Sequence, residues 1–241
     1  MVMEKILEVK DLHKKYRNGR GIGNINFDIS PGEVVGLLGP NGSGKTTIMK
    51  SITGLVRIDR GAVRICGQDI SENFEDAIRG VGCLIETPSV IGSMSCYDNL
   101  KLVSRFYNDI DPERIDVVLQ IAGLSKYRKD KVKSFSLGMK QRLAIAMAIY
   151  QNPKLVILDE PANGLDIEGS RELRKIISEL SKEFMISFLI SSHLIHEIEM
   201  LCDRILIIKD GSIVDTCIVQ DVKDTGVSLE DYFIDRVNKE A

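Results

Sequence analysis

No run of about 18 apolar residues occurs in this 241-residue chain, which argues against a transmembrane helix. The longest apolar stretches, such as 155–158 and 205–208, are only strand-sized. The first ten residues carry Glu4, Lys5 and Glu8, so the apolar stretch of a signal peptide is missing too. A soluble protein is expected. Cysteine is sparse: Cys66, Cys83, Cys96, Cys202 and Cys217 are scattered, odd in number and never in a C-x-x-C pair. That pattern disfavours a metal cluster or a disulfide framework and favours reduced thiols in a cytoplasm, most of them small core residues. Charge of one sign is not in excess either. With 32 Lys and Arg against 35 Asp and Glu the net charge is −3, and no dense basic tract exists, so no nucleic-acid surface is expected. Internal repeats and low-complexity linkers are absent as well.

What is present is a 44% hydrophobic chain, enough to fill the core of one α/β domain over 1–241. Residues 6–29 read as short alternating strands, and Ser30-Pro31-Gly32 marks a turn. The near-continuous apolar run 33–38 suits a strand covered on both faces. A helix is expected from about 44 to 53, ended by Gly54. Residues 87–150 are mostly helical in pattern, and about 88–132 reads as a lobe inserted into the main sheet. Two further buried strands are expected at 155–158 and 186–190, with a helix near 170–182 between them. After a helix around 194–202, strands 205–208 and 212–214 flank Asp210-Gly211, a hairpin signal. A C-terminal extension follows from about 216 to 241. Strands alternating with helices argue for a largely parallel sheet.

Gly39-Pro40-Asn41-Gly42-Ser43-Gly44-Lys45-Thr46 fits the G-x-x-x-x-G-K-[ST] template, between a predicted strand and a predicted helix. Glycines let the backbone wrap closely enough for successive N–H groups, around 39–47 and so including Thr47, to point at phosphate oxygens. The helix N-terminus adds partial positive charge at the same place. Lys45 would neutralise β- and γ-phosphates, and the Thr46 hydroxyl would hold Mg²⁺. A nucleoside triphosphate with Mg²⁺ is therefore the expected ligand. Asp159 and Glu160 follow the 155–158 strand, and ligands of open parallel sheets collect at strand carboxyl ends. Asp159 suits the organisation of Mg²⁺, and Glu160 can polarise a water that attacks the γ-phosphate. Acids ending a strand are ordinarily solvated turn residues; the cradle beside this pair is what makes it functional. His193 follows the 186–190 strand and could reach the γ-phosphate from the same edge. A lone histidine before a helix is usually just a cap, and its place after a third strand of this sheet reverses that reading.

With Ser134-Phe135-Ser136-Leu137-Gly138-Met139-Lys140-Gln141-Arg142-Leu143 added, the chain resembles the nucleotide-binding domains of ABC transporters over almost its whole length. The resemblance implies a P-loop NTPase core of ABC type, with an N-terminal antiparallel β subdomain and an inserted helical subdomain. It implies an ATPase that drives a separate transmembrane permease, peripheral on the cytoplasmic face of the plasma membrane. It also implies a head-to-tail dimer, expected to be a homodimer. By resemblance, Tyr16 stacks on adenine, and Ser136 and Gly138 belong to a signature that reaches the partner's ATP. Asn163-Gly164-Leu165-Asp166 links the two sites, Glu160 is the catalytic glutamate and His193 the switch histidine. The permease would dock from Glu86 through about Asn99. Independently of the family, Ser136 stands where an N-cap belongs, with Met139, Leu143, Met147 and Tyr150 following at helical spacing.

The chain departs from the usual family pattern in two places. Leu137 and Met139 replace a glycine and a glutamine of the signature. Glu86, in Val81-Gly82-Cys83-Leu84-Ile85-Glu86-Thr87-Pro88, stands where most members carry a glutamine that ligates Mg²⁺. A carboxylate keeps an oxygen for the metal but adds negative charge beside the γ-phosphate. Both departures resemble the subgroup that handles bacitracin and lantibiotics. The competing class is a soluble ABC ATPase acting on ribosomes or DNA. A single P-loop and the lack of room for a long coiled coil disfavour it, and co-purification would separate the two.

Overall fold

Alternating apolar residues build the first layer. Leu7, Val9 and Leu12 in β1 (Leu7–Lys15) and Ile25, Phe27 and Ile29 in β2 (Gly21–Ile29) are buried, and the residues between them are half-buried or exposed. Irregular register on both sides of Leu12 keeps it inward despite its odd spacing from Val9. The computed structural model describes residues 5–87, 89–107 and 109–238. Outside them lie Glu4 of the N-terminal reading, Pro88 at the expected start of the lobe, and residues 239–241 of the expected extension.

β3 (Val34–Leu38) is buried at every position and leads through a loop to α1 (Lys45–Ile52). β4 (Arg60–Ile65) and β5 (Gln68–Asp69) complete a four-stranded antiparallel sheet in the order β2-β1-β4-β5. α2 (Phe74–Arg79) then returns the chain to β6 (Val81–Leu84). Within the stretch expected as a lobe are α3 (Cys96–Ser104) and α4 (Arg114–Ile121), followed by α5 (Leu137–Ala148). Ser95 caps α3 by accepting the Asp98 N–H at 3.0 Å. α5 ends short of Tyr150, although Leu143 and Tyr150 are both buried.

β7 (Leu155–Asp159), α6 (Ile167–Phe184), β8 (Ser187–Ser192), α7 (Ile195–Leu201) and β9 (Arg204–Lys209) follow, and β7, β8 and β9 join β3 and β6 in the parallel part of the fold. α6 is amphipathic, burying Leu173, Ile176, Ile177 and Leu180 at helical spacing. β10 (Ser212–Ile218) returns antiparallel to β9 through Asp210 and Gly211, both at positive φ as a tight hairpin requires. The strand is longer than the expected 212–214. The second sheet runs β10-β9-β3-β8-β7-β6. α8 (Val219–Asp224) and α9 (Leu229–Asn238) occupy the expected extension, where the Tyr232 hydroxyl donates to Asp215 Oδ2 at 2.7 Å.

The pleat of this sheet divides the core in two. Val35, Leu37, Ile157 and Leu189 pack with α1 and the antiparallel sheet, while Val34, Leu38, Val156, Leu158 and Phe188 pack with the helices of the opposite face. The second cluster is continuous from the sheet through Leu143, Ile145 and Ile149 to Leu100, Val118 and Leu119, so α3 and α4 share a core with the sheet. The parallel strands therefore present their carboxyl ends, and the loops that follow them, along one edge.

Candidate active site

The loop from Gly39 to Gly44 joins the end of β3 to α1, and its shape demands glycine at two places. Gly44 has φ +112, and a Cβ there would lie 2.6 Å from Ile22 Cγ2. A Cβ on Gly39 would meet the Ile208 carbonyl oxygen at 2.3 Å. The loop is pinned from outside as well, since Gly211 donates its N–H to the Ser43 carbonyl at 2.9 Å. Lys45 is buried and curls back over the loop, donating to the carbonyls of Gly39 at 2.7 Å and Pro40 at 3.2 Å. Its Nζ is also 3.5 Å from Glu160 Oε1. The Ser43 hydroxyl is buried in the same loop without a protein partner. An orphaned hydroxyl and a buried ammonium inside a ring of main-chain amides fit a phosphate chain.

Asp159 closes β7 and is nearly inaccessible. Its Oδ2 accepts from Thr46 Oγ1 at 2.9 Å and its Oδ1 from Ser191 Oγ at 2.5 Å. The paired registers of β7 and β8 place Ser191 opposite Asp159. Ser191 Oγ in turn accepts the Glu160 N–H at 2.9 Å. Glu160 has a left-handed backbone, φ +49, which turns its side chain back toward the cradle. Its Oε2 lies 2.7 Å from His193 Nδ1. With an Nδ1–H donating to this carboxylate, Nε2 is the ring's second functional nitrogen. Glu160 thus stands between the ammonium of Lys45 and the ring of His193. Ser191 was not legible in the sequence as a site residue; only its place in the sheet reveals it.

Thr46 and Asp159 present adjacent oxygens, the donor chemistry of a hard cation such as Mg²⁺. Among the described residues no group of three His, Cys, Asp or Glu converges to hold a metal ion by itself. The site therefore fits a cation that brings further oxygens from phosphate and water. Glu86, expected with these two, takes a different partner. Its carboxylate meets Lys50 Nζ at 2.5 Å and is largely exposed. That hydrogen bond is the main reason the Lys50 pKa is raised.

A cleft of about 500 Å³ joins Tyr16 and Arg20 to Asn41, Gly42, Lys45, Thr46, Thr47 and Glu160. Tyr16 stands just past β1, in a turn closed by the Gly19 N–H on its carbonyl at 2.9 Å, and is partly exposed over this cleft. Ser136 and Gly138 are not brought to it. They line a separate cleft of about 300 Å³ with Arg142, Asp166, Gly169 and Glu172. Ser136 does cap α5, its Oγ accepting the Met139 N–H at 3.2 Å. Asp166, from the expected linking loop, caps α6 by accepting the Gly169 N–H at 2.8 Å. Leu137 lies over Gly164 of that loop, where a Cβ would approach Leu137 Cδ2 to 3.1 Å.

Residues 22–163 match the model of the ABC transporter family. The chain is 40% identical over 232 residues to the lantibiotic transport ATP-binding protein SrtF of Streptococcus pyogenes, covering 96% of this chain and 97% of that one. It is 39% identical over 215 residues to the bacitracin transport ATP-binding protein BcrA of Enterococcus faecalis, covering 89% and 70% of the two chains. A solved structure described as the ATP binding subunit of an ABC transporter superposes with a TM-score of 0.84 at 29% identity. The superposition covers 96% of this chain and 99% of that one.

Proposed function

This chain belongs to the ABC transporter family as an ATP-binding, ATP-hydrolysing subunit, and we propose that it powers export of, or immunity to, a peptide antibiotic of the bacitracin or lantibiotic type. The names of two relatives and the glutamate at position 86 support the substrate class. The observation that carries the hydrolytic reading is Glu160, held between Lys45 and His193 beside the Thr46–Asp159 pair.

In this reading the amides of 39–47 surround the triphosphate of ATP, and Tyr16 lies against the adenine. Lys45 exchanges its carbonyl partners for β- and γ-phosphate oxygens. Thr46 and Asp159 are the residues that would hold Mg²⁺, which when bound neutralises and orients the phosphate oxygens, while Glu86 is engaged by Lys50. Glu160 accepts a hydrogen bond from the attacking water and aligns it, and His193 presents its ring to the γ-phosphate. Catalysis by these groups is positioning and charge stabilisation, since phosphoryl transfer asks little covalent work of the protein.

The cleft at Ser136 and Gly138 shares no lining residue with the cradle of its own chain. A second copy, turned head to tail, would bring that hydroxyl and the amides of the α5 N-terminus to the first copy's γ-phosphate. Each ATP then joins two surfaces, so binding favours closure and hydrolysis permits reopening. We read the chain as one ATPase domain over 1–241, with the lobe of about 88–132 inserted and the residues from about 216 as an extension. A separate permease would dock on the segment from Glu86 through about Asn99. The cleft of about 330 Å³ between β6 and α5, lined by Cys83, Ile85, Thr87, Ser89, Tyr107 and Met147, adjoins that segment. No helix among the described residues is long and apolar enough to cross a membrane, so attachment to the inner face of the plasma membrane would come through that permease.

Co-expression with a candidate permease in a sensitive host tests the reading. The pair is expected to raise the tolerated concentration of bacitracin or a lantibiotic several-fold, and Lys45→Ala should abolish the gain. Unchanged sensitivity to every peptide antibiotic tried, from a pair that co-purifies and hydrolyses ATP, would remove the substrate class and leave the ATPase.

A further inference from the structure

Three carboxylates stand at the carboxyl ends of neighbouring strands: Glu86 beyond β6, Asp159 closing β7, and Glu160 after it. Leu84 of β6 pairs with Leu158 of β7, so Glu86 and Glu160 are each two residues past the same rung. α1 faces this edge with Lys45 and Thr46 and, one turn further on, Lys50. Each carboxylate has its own partner on that helix. Thr46 donates to Asp159 at 2.9 Å, Lys45 lies 3.5 Å from Glu160, and Lys50 lies 2.5 Å from Glu86.

Lys50 belongs to none of the sequence motifs, and a partly exposed ion pair by itself ordinarily contributes little. Two features distinguish this pair. Glu86 has φ +70, a conformation that disfavours any side chain with a Cβ, so its segment has to be held in place. Its charge also stands at the edge of a site that takes a polyanion, where an uncompensated carboxylate repels the ligand.

We propose that Lys50 is the counter-charge that allows a glutamate to occupy position 86, keeping that carboxylate from opposing the phosphates and tying α1 to the segment that leads from β6 into α3. Lys50 is a positioning residue, not a catalytic one, and its role rests on the nucleotide-site reading above. Lys50 also lies within electrostatic reach of Asp159 and Tyr16. The proposal therefore requires that its effect on the ligand run mainly through Glu86, and removing the Glu86 charge should then make Lys50 largely dispensable.

The test titrates the full chain with methylanthraniloyl-ATP in EDTA, so that binding is read without metal or turnover. Lys50→Met should weaken binding roughly five- to tenfold, the effect of one unbalanced charge near a polyanion. Glu86→Gln should bind at least as tightly as wild type. Lys50→Met/Glu86→Gln should return to within about twofold of Glu86→Gln, the non-additivity expected of a coupled pair. Amide exchange over residues 84–92 should be faster in nucleotide-free Lys50→Met than in wild type. Lys50→Met binding like wild type, a double variant as weak as Lys50→Met, or exchange unaltered by Lys50→Met would overturn the proposal. A wild-type chain that takes up no methylanthraniloyl-ATP would instead overturn the nucleotide site itself.

Discussion

Ser191 is fully buried and holds both acids of the candidate site, donating to Asp159 and accepting from the Glu160 main chain. Removing its hydroxyl leaves one oxygen of a buried carboxylate unpaired, at a cost of about 1–3 kcal/mol. Ser191→Ala should therefore melt several degrees lower. It should also lose roughly tenfold in kcat with little change in the KM for ATP, because positioning rather than ground-state binding is disturbed. Steady-state ATPase assays alongside thermal melting would check this; a KM effect with kcat intact would refute it. The acids themselves were legible in the sequence because they directly follow a buried apolar run. Ser191 was not, since its partnership spans 32 positions and depends on how β7 registers with β8. The same applies to Lys50 and Glu86, which are 36 positions apart.

Among the elements, α5 shows how one residue can serve both folding and function. Ser136 satisfies the Met139 N–H, so Ser136→Ala should cost about 1 kcal/mol of stability through loss of the cap. In the proposed dimer the same hydroxyl faces the partner's γ-phosphate. ATPase activity with permease should then fall far more than the cap alone accounts for, roughly a hundredfold. Ser136→Asp, which supplies another good cap, should restore the melting temperature but not the activity. If activity followed stability through both variants, the hydroxyl would be a cap and nothing more. The helical stripe of α6 and the continuous apolar runs of β3, β7 and β8 made those elements readable from local pattern. β4, β5, α2 and β6 carry no such pattern: they are short, and β5 and α2 are mostly exposed. β4 is placed by pairing with β1, β5 by pairing with β4 and β6 by pairing with β7, which only the assembled sheets supply.

For the molecule as a whole, the cleft at the cradle and the cleft at Ser136 are lined by different residues. That separation is the physical ground for proposing a second copy. Glu160→Gln keeps the shape of the side chain but loses the charge that activates water in the proposed mechanism, so ATP should remain bound and the closed pair persist. With ATP and Mg²⁺ present, Glu160→Gln should elute as a dimer on size exclusion while wild type returns to monomer after turnover. Elution of Glu160→Gln as a monomer that hydrolyses ATP at the wild-type rate would overturn both the role of Glu160 and the dimer. The cradle, the two acids and the alternation of strands and helices were decided by sequence alone, because each is a pattern among covalent neighbours. The order β10-β9-β3-β8-β7-β6, the hold of Ser191 on Asp159, the pairing of Lys50 with Glu86 and the separation of Ser136 from the cradle were decided only by tertiary structure. These depend on which distant segments the buried sheet brings together, and no local spacing encodes that.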